Sequence, residues 1–199
     1  MIRLLIGTNN EGKVRELRAL LRRLPAELVT PLELGLSIKV NEDGRTYAEN
    51  AVKKATAFAS LSGLISLADD SGLEVEALGG APGLHSARYL PNSDATDADR
   101  RARLLQNLRD APRPWTARFR SVVAIAVPDQ EAQWTEGECL GEIIPDERGG
   151  GGFGYDRIFV VTEAGLTMAE LDMEEKNRLS HRARAVLKAR PILENLLGP

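Results

Sequence analysis

The sequence predicts one α/β domain, residues 1–199, built around a mixed β-sheet. Segments with strand character alternate with segments of helical periodicity along the whole chain, and no shift in composition marks a boundary. The first strand and helix favour parallel pairing. Two long alternating segments that flank residues 128–130 predict a hairpin, whose strands must be antiparallel. Both strand directions are therefore expected in the sheet.

Apolar spacing predicts the elements of the first third of the chain. Residues 2–6 predict a buried strand and residues 7–10 a polar turn, and a helix follows that Pro25 ends. Its apolar positions recur at helical spacing: Val14, Leu17, Leu20, Leu21 and Leu24. A second helix begins at Thr46, which has the Thr-x-x-Glu form of a capping box, and continues to about Ala59.

Similar local patterns predict the elements in the rest of the chain. Residues 64–68 predict a strand that ends in a turn at residues 69–72, and Thr96 begins a third helix. The remaining segments, in chain order, are strands over residues 119–127 and 132–143, a glycine-rich loop at 149–154, a strand over 155–161, and a last helical region from Thr167, interrupted near Ser180 and at Pro191.

Composition and charge restrict the class of protein. Hydrophobic residues make up 43% and charged residues 28% of the chain, as in ordinary soluble domains. The net charge of −3 argues against a nucleic acid polymer as partner, because no basic field would attract its phosphates. The single cysteine, Cys139, cannot form an internal disulfide, and no apolar run is long enough to span a membrane. We therefore expect a cytoplasmic protein without a membrane partner.

Two adjacent carboxylates, Asp69 and Asp70, follow the strand over residues 64–68. Like charges repel, so a cation or a helix terminus must offset the cost of placing them together. Mg²⁺ prefers oxygen ligands and often needs only one or two carboxylates, and Asp70 with Glu42 would suffice. Glu49 is already explained by the capping box. Since Asp, Ser and Gly are also common turn residues, a polar turn and a metal site both remain open on these residues alone.

A second candidate site is the segment Thr-Asn-Asn-Glu-Gly-Lys at residues 8–13. A polar turn at a helix N-terminus presents free amides and the positive end of the helix dipole to an anion, and Lys13 adds a charge. The Walker A spacing is absent. A helix cap at Asn10 or Thr8 beside a surface lysine accounts for the same residues.

Two further segments carry aromatic and cationic side chains. Four consecutive glycines precede Phe153, which could stack on a nucleobase or belong to the core of a flexible hairpin loop. Ser180 can cap a helix whose first turn would hold His181 and Arg182. Because the helix dipole disfavours cations there, this placement indicates a ligand that accepts hydrogen bonds from them, although charge runs are usually solvated helix faces.

Taken together, five segments resemble the inosine triphosphate pyrophosphatase family, the noncanonical purine NTP pyrophosphatases. The segments are TNNEGK at 8–13, TYAENAVKKA at 46–55, ADDSGLEVEALGGAPGLHSARY at 68–89, GGFGYDRIF at 151–159 and MAELDMEEKNRLSHR at 168–182. They occur in the family's order and span nearly the whole chain. Each segment alone is a modest signal, whereas five in register are highly specific.

The resemblance implies hydrolysis of ITP, dITP and XTP to the nucleoside monophosphate and pyrophosphate, with Mg²⁺ as cofactor. It also implies an elongated mixed central sheet flanked by helices, two lobes with the active site in the cleft between them, and a homodimer. Donors directed at the 6-oxo group of hypoxanthine or xanthine would face the 6-amino group of adenine and would be left unpaired.

The family's site residues carry over by motif. Asp70 is implied as general base and metal-linked carboxylate, with Glu42 as a second metal ligand. The implied triphosphate-binding residues are Thr8, Asn9, Asn10, Glu11, Gly12, Lys13 and Ser71, assisted by Lys53. The implied base pocket consists of Phe153, Gly154, Tyr155, Asp156, Lys176, His181 and Arg182. Arg157 departs from the family, which usually has proline after Tyr-Asp.

The sequence also bears on three other functions. One alternative is a nucleotide pyrophosphatase of the same design that acts on other modified bases. Another is a nucleotide-binding module without turnover, which the acids at Asp69, Asp70 and Glu42 speak against because surplus negative charge does not help to bind a polyanion. A dinucleotide oxidoreductase would need Gly-x-Gly-x-x-Gly after the first strand, and this chain lacks it.

Overall fold

Strands and helices alternate along the chain in the computed structural model, which describes residues 2–92 and 94–198. The strands found there are β1 (Ile2–Ile6), β2 (Ala26–Val29), β3 (Ile65–Val75), β4 (Trp115–Ala126), β5 (Gln133–Ile143) and β6 (Phe159–Val161). The α-helices are α1 (Glu11–Leu21), α2 (Tyr47–Ser62), α3 (Asp97–Leu108), α4 (Met173–Leu179) and α5 (His181–Leu197). None of the helices described is long and apolar enough to cross a membrane.

The strands form one six-stranded sheet in the order β2-β1-β3-β4-β5-β6. Strand β1 pairs in parallel with β2 and with β3, so that Leu4 lies opposite both Leu28 and Ile65. Strand β6 pairs in antiparallel register with β5, where Gly141 lies opposite Val161. The prediction of an α/β fold with a mixed sheet is therefore confirmed.

Short-range signals place the helix starts correctly. The side chains of Asn10, Thr46 and Thr96 cap α1, α2 and α3 by accepting from a backbone N–H three residues later. At Thr96 the reciprocal bond from Asp99 completes a capping box. In α2 the Glu49 carboxylate instead accepts from the backbone N–H of Arg45, one residue before the cap.

Several predicted boundaries are wrong. The predicted turn at residues 69–72 is instead the middle of β3, an 11-residue strand buried along most of its length. The predicted strand over residues 155–161 shortens to β6, because a 3-10 turn at Asp156–Ile158 precedes it. Thr167 lies in a bridge to Val160, and the helix begins only after Asp172, which caps α4. Pro191 does not interrupt α5.

Strand β2 was not expected, because its four residues, Ala-Glu-Leu-Val, are too short to show a period. Its identity as a strand comes from pairing with β1, which a local pattern cannot reveal. The continuity of α5 also has a tertiary origin. Ala189 and Leu193, which flank Pro191, are fully buried in the core that α5 shares with β1. Packing on both sides of the proline outweighs the one backbone hydrogen bond that proline cannot make.

The chain divides into two compact units. Unit 1 comprises Met1–Asp70, Ser121–Gly137 and Arg182–Pro199, and unit 2 comprises Ser71–Arg120 and Glu138–His181. The core of unit 1 packs α1 and α5 against β1, with Leu4, Leu17 and Leu193 at its centre. The core of unit 2 packs α3 against strand residues, with Leu104, Phe159 and the buried Cys139 at its centre.

Candidate active site

Strand β3 carries Asp69 and Asp70, both buried, at the end of its part in unit 1. Successive side chains of a strand point to opposite faces of the sheet. Because β3 continues through these positions instead of turning, the two carboxylates face different surroundings. The alternation gives different neighbours to two residues that are adjacent in the sequence.

The Asp69 carboxylate is the centre of a buried ion cluster. Its Oδ2 accepts from Arg182 Nε at 3.0 Å and lies 3.2 Å from Lys13 Nζ. Arg182 also pairs with the buried Glu16 of α1. Burial alone would raise the pKa of Asp69, but the positive charges of Arg182, Lys13 and Lys54 outweigh it and hold that pKa well below its usual range. Asp69 is therefore ionised throughout the physiological range and joins β3 to α1 and α5.

Asp70 contacts two side chains of helix α2. Its Oδ2 accepts from Asn50 Nδ2 at 3.0 Å, and its Oδ1 lies 3.6 Å from Lys54 Nζ. The same ammonium lies 3.2 Å from Glu42 Oε2. The Asn50 side chain also accepts from the backbone N–H of Gly44, which holds the loop of Glu42 against Asp70. Burial raises the pKa of Asp70, although the charges of Lys54 and Lys13 oppose the shift.

The donor set fits Mg²⁺. In the part of the chain that the structure describes, no group of three or more metal-ligating side chains converges. Asp70 and Glu42 nevertheless bring two carboxylates to one ammonium, that of Lys54. Two carboxylates are the number that Mg²⁺ commonly takes from a protein when water and substrate phosphates complete its shell. These two residues are the ones that would hold the ion.

Helix α2 supplies two site residues that sequence reasoning missed, Asn50 and Lys54. Both are buried, at 1% and 8% exposure, whereas Lys53 is exposed and pairs with Asp43. Asn50 and Lys54 are four residues apart and share a face with Phe58, which lies four residues further on. That spacing is visible in the sequence. It would have placed Lys54, and not Lys53, toward the core.

The turn between β1 and α1 holds Thr8–Lys13 in a defined shape. Thr8 Oγ1 accepts from the Asn10 amide at 3.2 Å, and Asn10 Oδ1 accepts from the Lys13 amide at 2.9 Å. The turn lies so close to α2 that a Cβ at Gly7 would meet the Phe58 ring at 2.8 Å. The helix cap at Asn10 is confirmed, but Lys13 is not a surface lysine. Burial lowers its pKa, and the charge of Asp69 opposes that shift.

The other residues of this turn differ in exposure. Asn9 and Glu11 are exposed, and Thr8 and Gly12 are half-buried. The turn leads into the N-terminus of α1. The first backbone amides of a helix have no acceptor within the helix, and here the Asn10 side chain accepts from one of them, that of Lys13. The ion pair of Lys13 with Asp69 fixes this helix end to the strand that carries Asp70. Unit 1 thus brings the N-terminus of α1 together with the strand that carries Asp70.

Unit 2 contains most of the predicted base pocket. Asp156 Oδ2 accepts from Lys176 Nζ at 2.7 Å and from the backbone N–H of Phe153 at 3.0 Å. The Lys176 ammonium lies 5.5 Å from the centroid of the half-buried Phe153 ring. The Tyr155 hydroxyl donates to the Ser86 carbonyl at 2.9 Å, and burial raises its pKa. Tyr155 thus anchors the loop, while Phe153 and Lys176 present an aromatic face and a cation.

The remaining predicted residues fall into both units. His181 is buried in unit 2, where its ring stacks on Phe119 at 4.7 Å between centroids, and Arg182 belongs to the Asp69 cluster of unit 1. Ser71 is half-buried on β3, next to Asp70. Arg157, at the position where the family usually has proline, lies 3.6 Å from Glu147.

Comparisons with known proteins agree with the fold of this chain. The family model described as "Ham1 family" matches residues 4–192. The dITP/XTP pyrophosphatase of Desulforamulus reducens is 48% identical over 98% of this chain and 97% of the relative. That of Geobacter sulfurreducens is 46% identical over 94% of each chain. A HAM1 protein from Coxiella burnetii has a TM-score of 0.87 at 37% identity, covering 98% of this chain and 100% of the other.

Proposed function

This chain belongs to the Ham1 family, and we propose that it hydrolyses noncanonical purine nucleoside triphosphates, namely ITP, dITP and XTP, to the nucleoside monophosphate and pyrophosphate. The observation that carries the proposal is the ion pair of Lys13 with Asp69. It supports the proposal because it joins the N-terminal turn of α1 to the strand that carries Asp70, within unit 1. A triphosphate with its Mg²⁺ needs this combination of amides, cations and carboxylates.

The residues of unit 1 divide the chemistry among themselves. Water attacks in line and the anhydride bond between the α- and β-phosphates breaks, so that pyrophosphate leaves. Asp70 orients the water and accepts its proton, and the raised pKa of this buried carboxyl makes it a better base. Lys13 and the amides of the β1–α1 turn stabilise the charge on the phosphates. Mg²⁺, held by Asp70 and Glu42, would supply further charge neutralisation when bound.

The residues of unit 2 supply recognition of the base. Phe153 offers a ring for stacking. Lys176 offers a hydrogen-bond donor that is held in position by its 2.7 Å bond to Asp156 Oδ2. A donor suits the 6-oxo group of hypoxanthine or xanthine and is left unpaired against the 6-amino group of adenine. Such a mismatch discriminates by factors on the order of 10⁴. On the basis of the motif that they complete, we assign His181 and Arg182 to base recognition as well, although Arg182 belongs to the Asp69 cluster of unit 1.

A substrate panel with product identification tests this function. Purified protein with Mg²⁺ should release pyrophosphate from ITP, dITP and XTP far faster than from ATP or GTP, and chelation of the metal with EDTA should stop the reaction. Preference for ATP, release of orthophosphate, or full activity in EDTA would contradict the proposal. Binding of ITP without any turnover would instead support the alternative of a nucleotide-binding module.

We further propose that the enzyme acts in the cytoplasm as a homodimer. The family resemblance motivates the dimer, and the single, buried cysteine suits a reducing compartment. Sedimentation equilibrium at micromolar concentration measures the mass directly. A mass of one chain, 21.7 kDa, at all concentrations would rule the dimer out.

A further inference from the structure

Helix α3 contacts the loop of Phe153–Asp156 at one peptide group on each side of Gly154. The Gly154 amide donates to Asp97 Oδ2 at 2.7 Å, and the Gly154 carbonyl accepts from Arg101 Nη1 at 2.8 Å. Asp97 and Arg101 are four residues apart and therefore share one face of α3. Neither residue belongs to the site described above, and both lie with the loop in unit 2.

Arg101 is held firmly in this position. Its Nε and Nη2 donate to the two carboxylate oxygens of Glu147 at 2.7 and 3.1 Å, and the whole residue is only 6% exposed. A bidentate arginine–carboxylate pair fixes the plane of the guanidinium. Nη1 is thereby directed at the Gly154 carbonyl. The same Glu147 lies near Arg157, the residue that departs from the family pattern.

Asp97 is held as well. It begins α3 directly after the capping residue Thr96, and its other carboxylate oxygen, Oδ1, accepts from Arg100 Nη1 at 3.0 Å. Further along α3, Leu104 and Leu108 are fully buried in the core of unit 2. The donor and the acceptor that meet Gly154 are thus set by the packing of a whole helix, so they present a rigid pair to the loop.

Gly154 needs such an anchor. It adopts a left-handed backbone conformation with φ of +61°, two residues after Gly152 at φ +72°, and glycine without restraint populates many conformations. The orientation of the Gly154 peptides sets the direction of Phe153 on one side and, through Tyr155, of Asp156 on the other. Asp156 in turn holds the Lys176 ammonium. An error at Gly154 would therefore reach both groups that face the base.

We propose that Arg101 and Asp97 are positioning residues for base recognition, which hold the Gly154 peptides and so preorganise the Phe153 ring and the Asp156–Lys176 pair. This inference rests on the function proposed above. Preorganisation reduces the ordering cost of binding the part of the ligand that the ordered groups contact. Loss of either residue should therefore weaken binding of the base, while binding of the triphosphate at the β1–α1 turn stays the same.

Two inhibitors separate these effects. IMP carries the base, and inorganic tripolyphosphate carries only the phosphates. We expect Arg101→Met to raise the inhibition constant of IMP roughly tenfold, the factor for loss of one charge-assisted hydrogen bond that orders the loop. The constant for tripolyphosphate should change less than about twofold. Arg103→Met, on the same helix at an exposed position, is the matched control and should match the wild type in both.

Asp97 offers a second, independent comparison that does not remove a buried side chain. Asp97→Ala deletes the acceptor for the Gly154 amide, whereas Asp97→Asn keeps an oxygen that can accept the same bond. We expect Asp97→Ala to weaken the binding of IMP as much as Arg101→Met does, and Asp97→Asn to retain most of the affinity for IMP. Arg100→Ala removes the ion pair at Oδ1 but keeps the bond from the Gly154 amide to Oδ2, so it should leave IMP inhibition unchanged. Hydrogen exchange at the Gly154 amide should accelerate in Asp97→Ala alone among these three.

The outcomes distinguish the positioning role from the proposed function. If wild-type protein neither hydrolyses ITP nor binds IMP, the proposed function fails and the positioning role fails with it. If the wild type does both, two results overturn only the positioning role: the variants have the same inhibition constants as the wild type, or they lose affinity for IMP and for tripolyphosphate equally. Should Arg101→Met not fold, as thermal unfolding would reveal, the Asp97 variants decide by the same criteria.

Discussion

Asp69 and Asp70 are adjacent aspartates, but their carboxylates have different surroundings. Asp69 faces two cations within 3.2 Å, whereas Asp70 has an amide at 3.0 Å and a shared lysine at 3.6 Å. The pKa of Asp69 is accordingly lowered, and that of Asp70 is raised by burial. A carboxylate permanently neutralised by arginine makes an anchor, and one with a raised pKa makes a base.

Replacement of Asp70 tests the catalytic role. Asp70→Asn keeps the shape of the side chain and its contact with Asn50 but cannot take a proton, so we expect kcat for ITP to fall by a factor of roughly 10²–10⁴ or more. The protein should remain folded by circular dichroism and should still bind ITP. Asp110→Asn, at an exposed acid far along the chain, is the control. Near-wild-type activity of Asp70→Asn would remove this residue from the mechanism.

A pair of neighbouring lysines tests the geometry of α2. Lys54 bridges Glu42 and Asp70, whereas Lys53, the lysine that the motif suggests, pairs with Asp43 at the surface. We expect Lys54→Met to lower kcat/KM for ITP by about tenfold or more, because a charge-assisted contact near the phosphates is lost. The loss should exceed that of Lys53→Met. Equal losses, or a larger loss in Lys53→Met, would contradict the placement.

At the scale of elements, β3 and α5 matter most because each continues where its sequence suggests an end. Strand β3 extends through Asp69–Gly72, so it contributes residues to both units. Helix α5 continues through Pro191, which is exposed. In both elements the local signal for an end is genuine, since Asp, Ser, Gly and Pro all favour turns. Burial of the flanking residues overrides it.

Helix α5 supports a prediction about stability. Pro191→Ala restores an N–H that can donate to the preceding turn and removes a helix-breaking residue, while the exposed position loses little packing. Against this, proline restricts the unfolded chain. We expect the free energy of unfolding to rise by about 1–2 kcal/mol, measured by urea denaturation. Pro128→Ala, outside any helix, should show no gain, and a loss of stability in Pro191→Ala would contradict the expectation.

At the scale of the molecule, contacts distant in sequence define the candidate site. The Asp69 cluster joins Asp69 of β3 to Glu16 of α1 and Arg182 of α5. In the sequence, Arg182 is 113 positions from Asp69 and 166 positions from Glu16. All three side chains are at most 5% exposed. A buried cluster of this kind tolerates the loss of one member poorly, because the remaining charges keep their cost of desolvation.

Removal of Arg182 tests this cluster through the stability of the protein. Arg182→Met leaves the carboxylates of Asp69 and Glu16 buried without their arginine, and we expect the free energy of unfolding to fall by about 3–5 kcal/mol. Arg190→Met removes an exposed arginine that pairs with Glu194 and should cost less than about 1 kcal/mol. Chemical denaturation of both variants gives the comparison. Equal stabilities would show that the cluster is not a structural anchor.

The sequence by itself determined the alternation of strands and helices, the mixed sheet and the helix caps at Thr46 and Thr96, and it narrowed the cap of α1 to Thr8 or Asn10. Periodicity and capping depend on residues within a few positions of each other, so they are visible without a structure. Only the tertiary structure decided that β3 continues through the acids, that Asp69 and Asp70 have different partners, and that Lys54 bridges Asp70 and Glu42. These features depend on partners from other elements, whose burial and charge no local pattern contains.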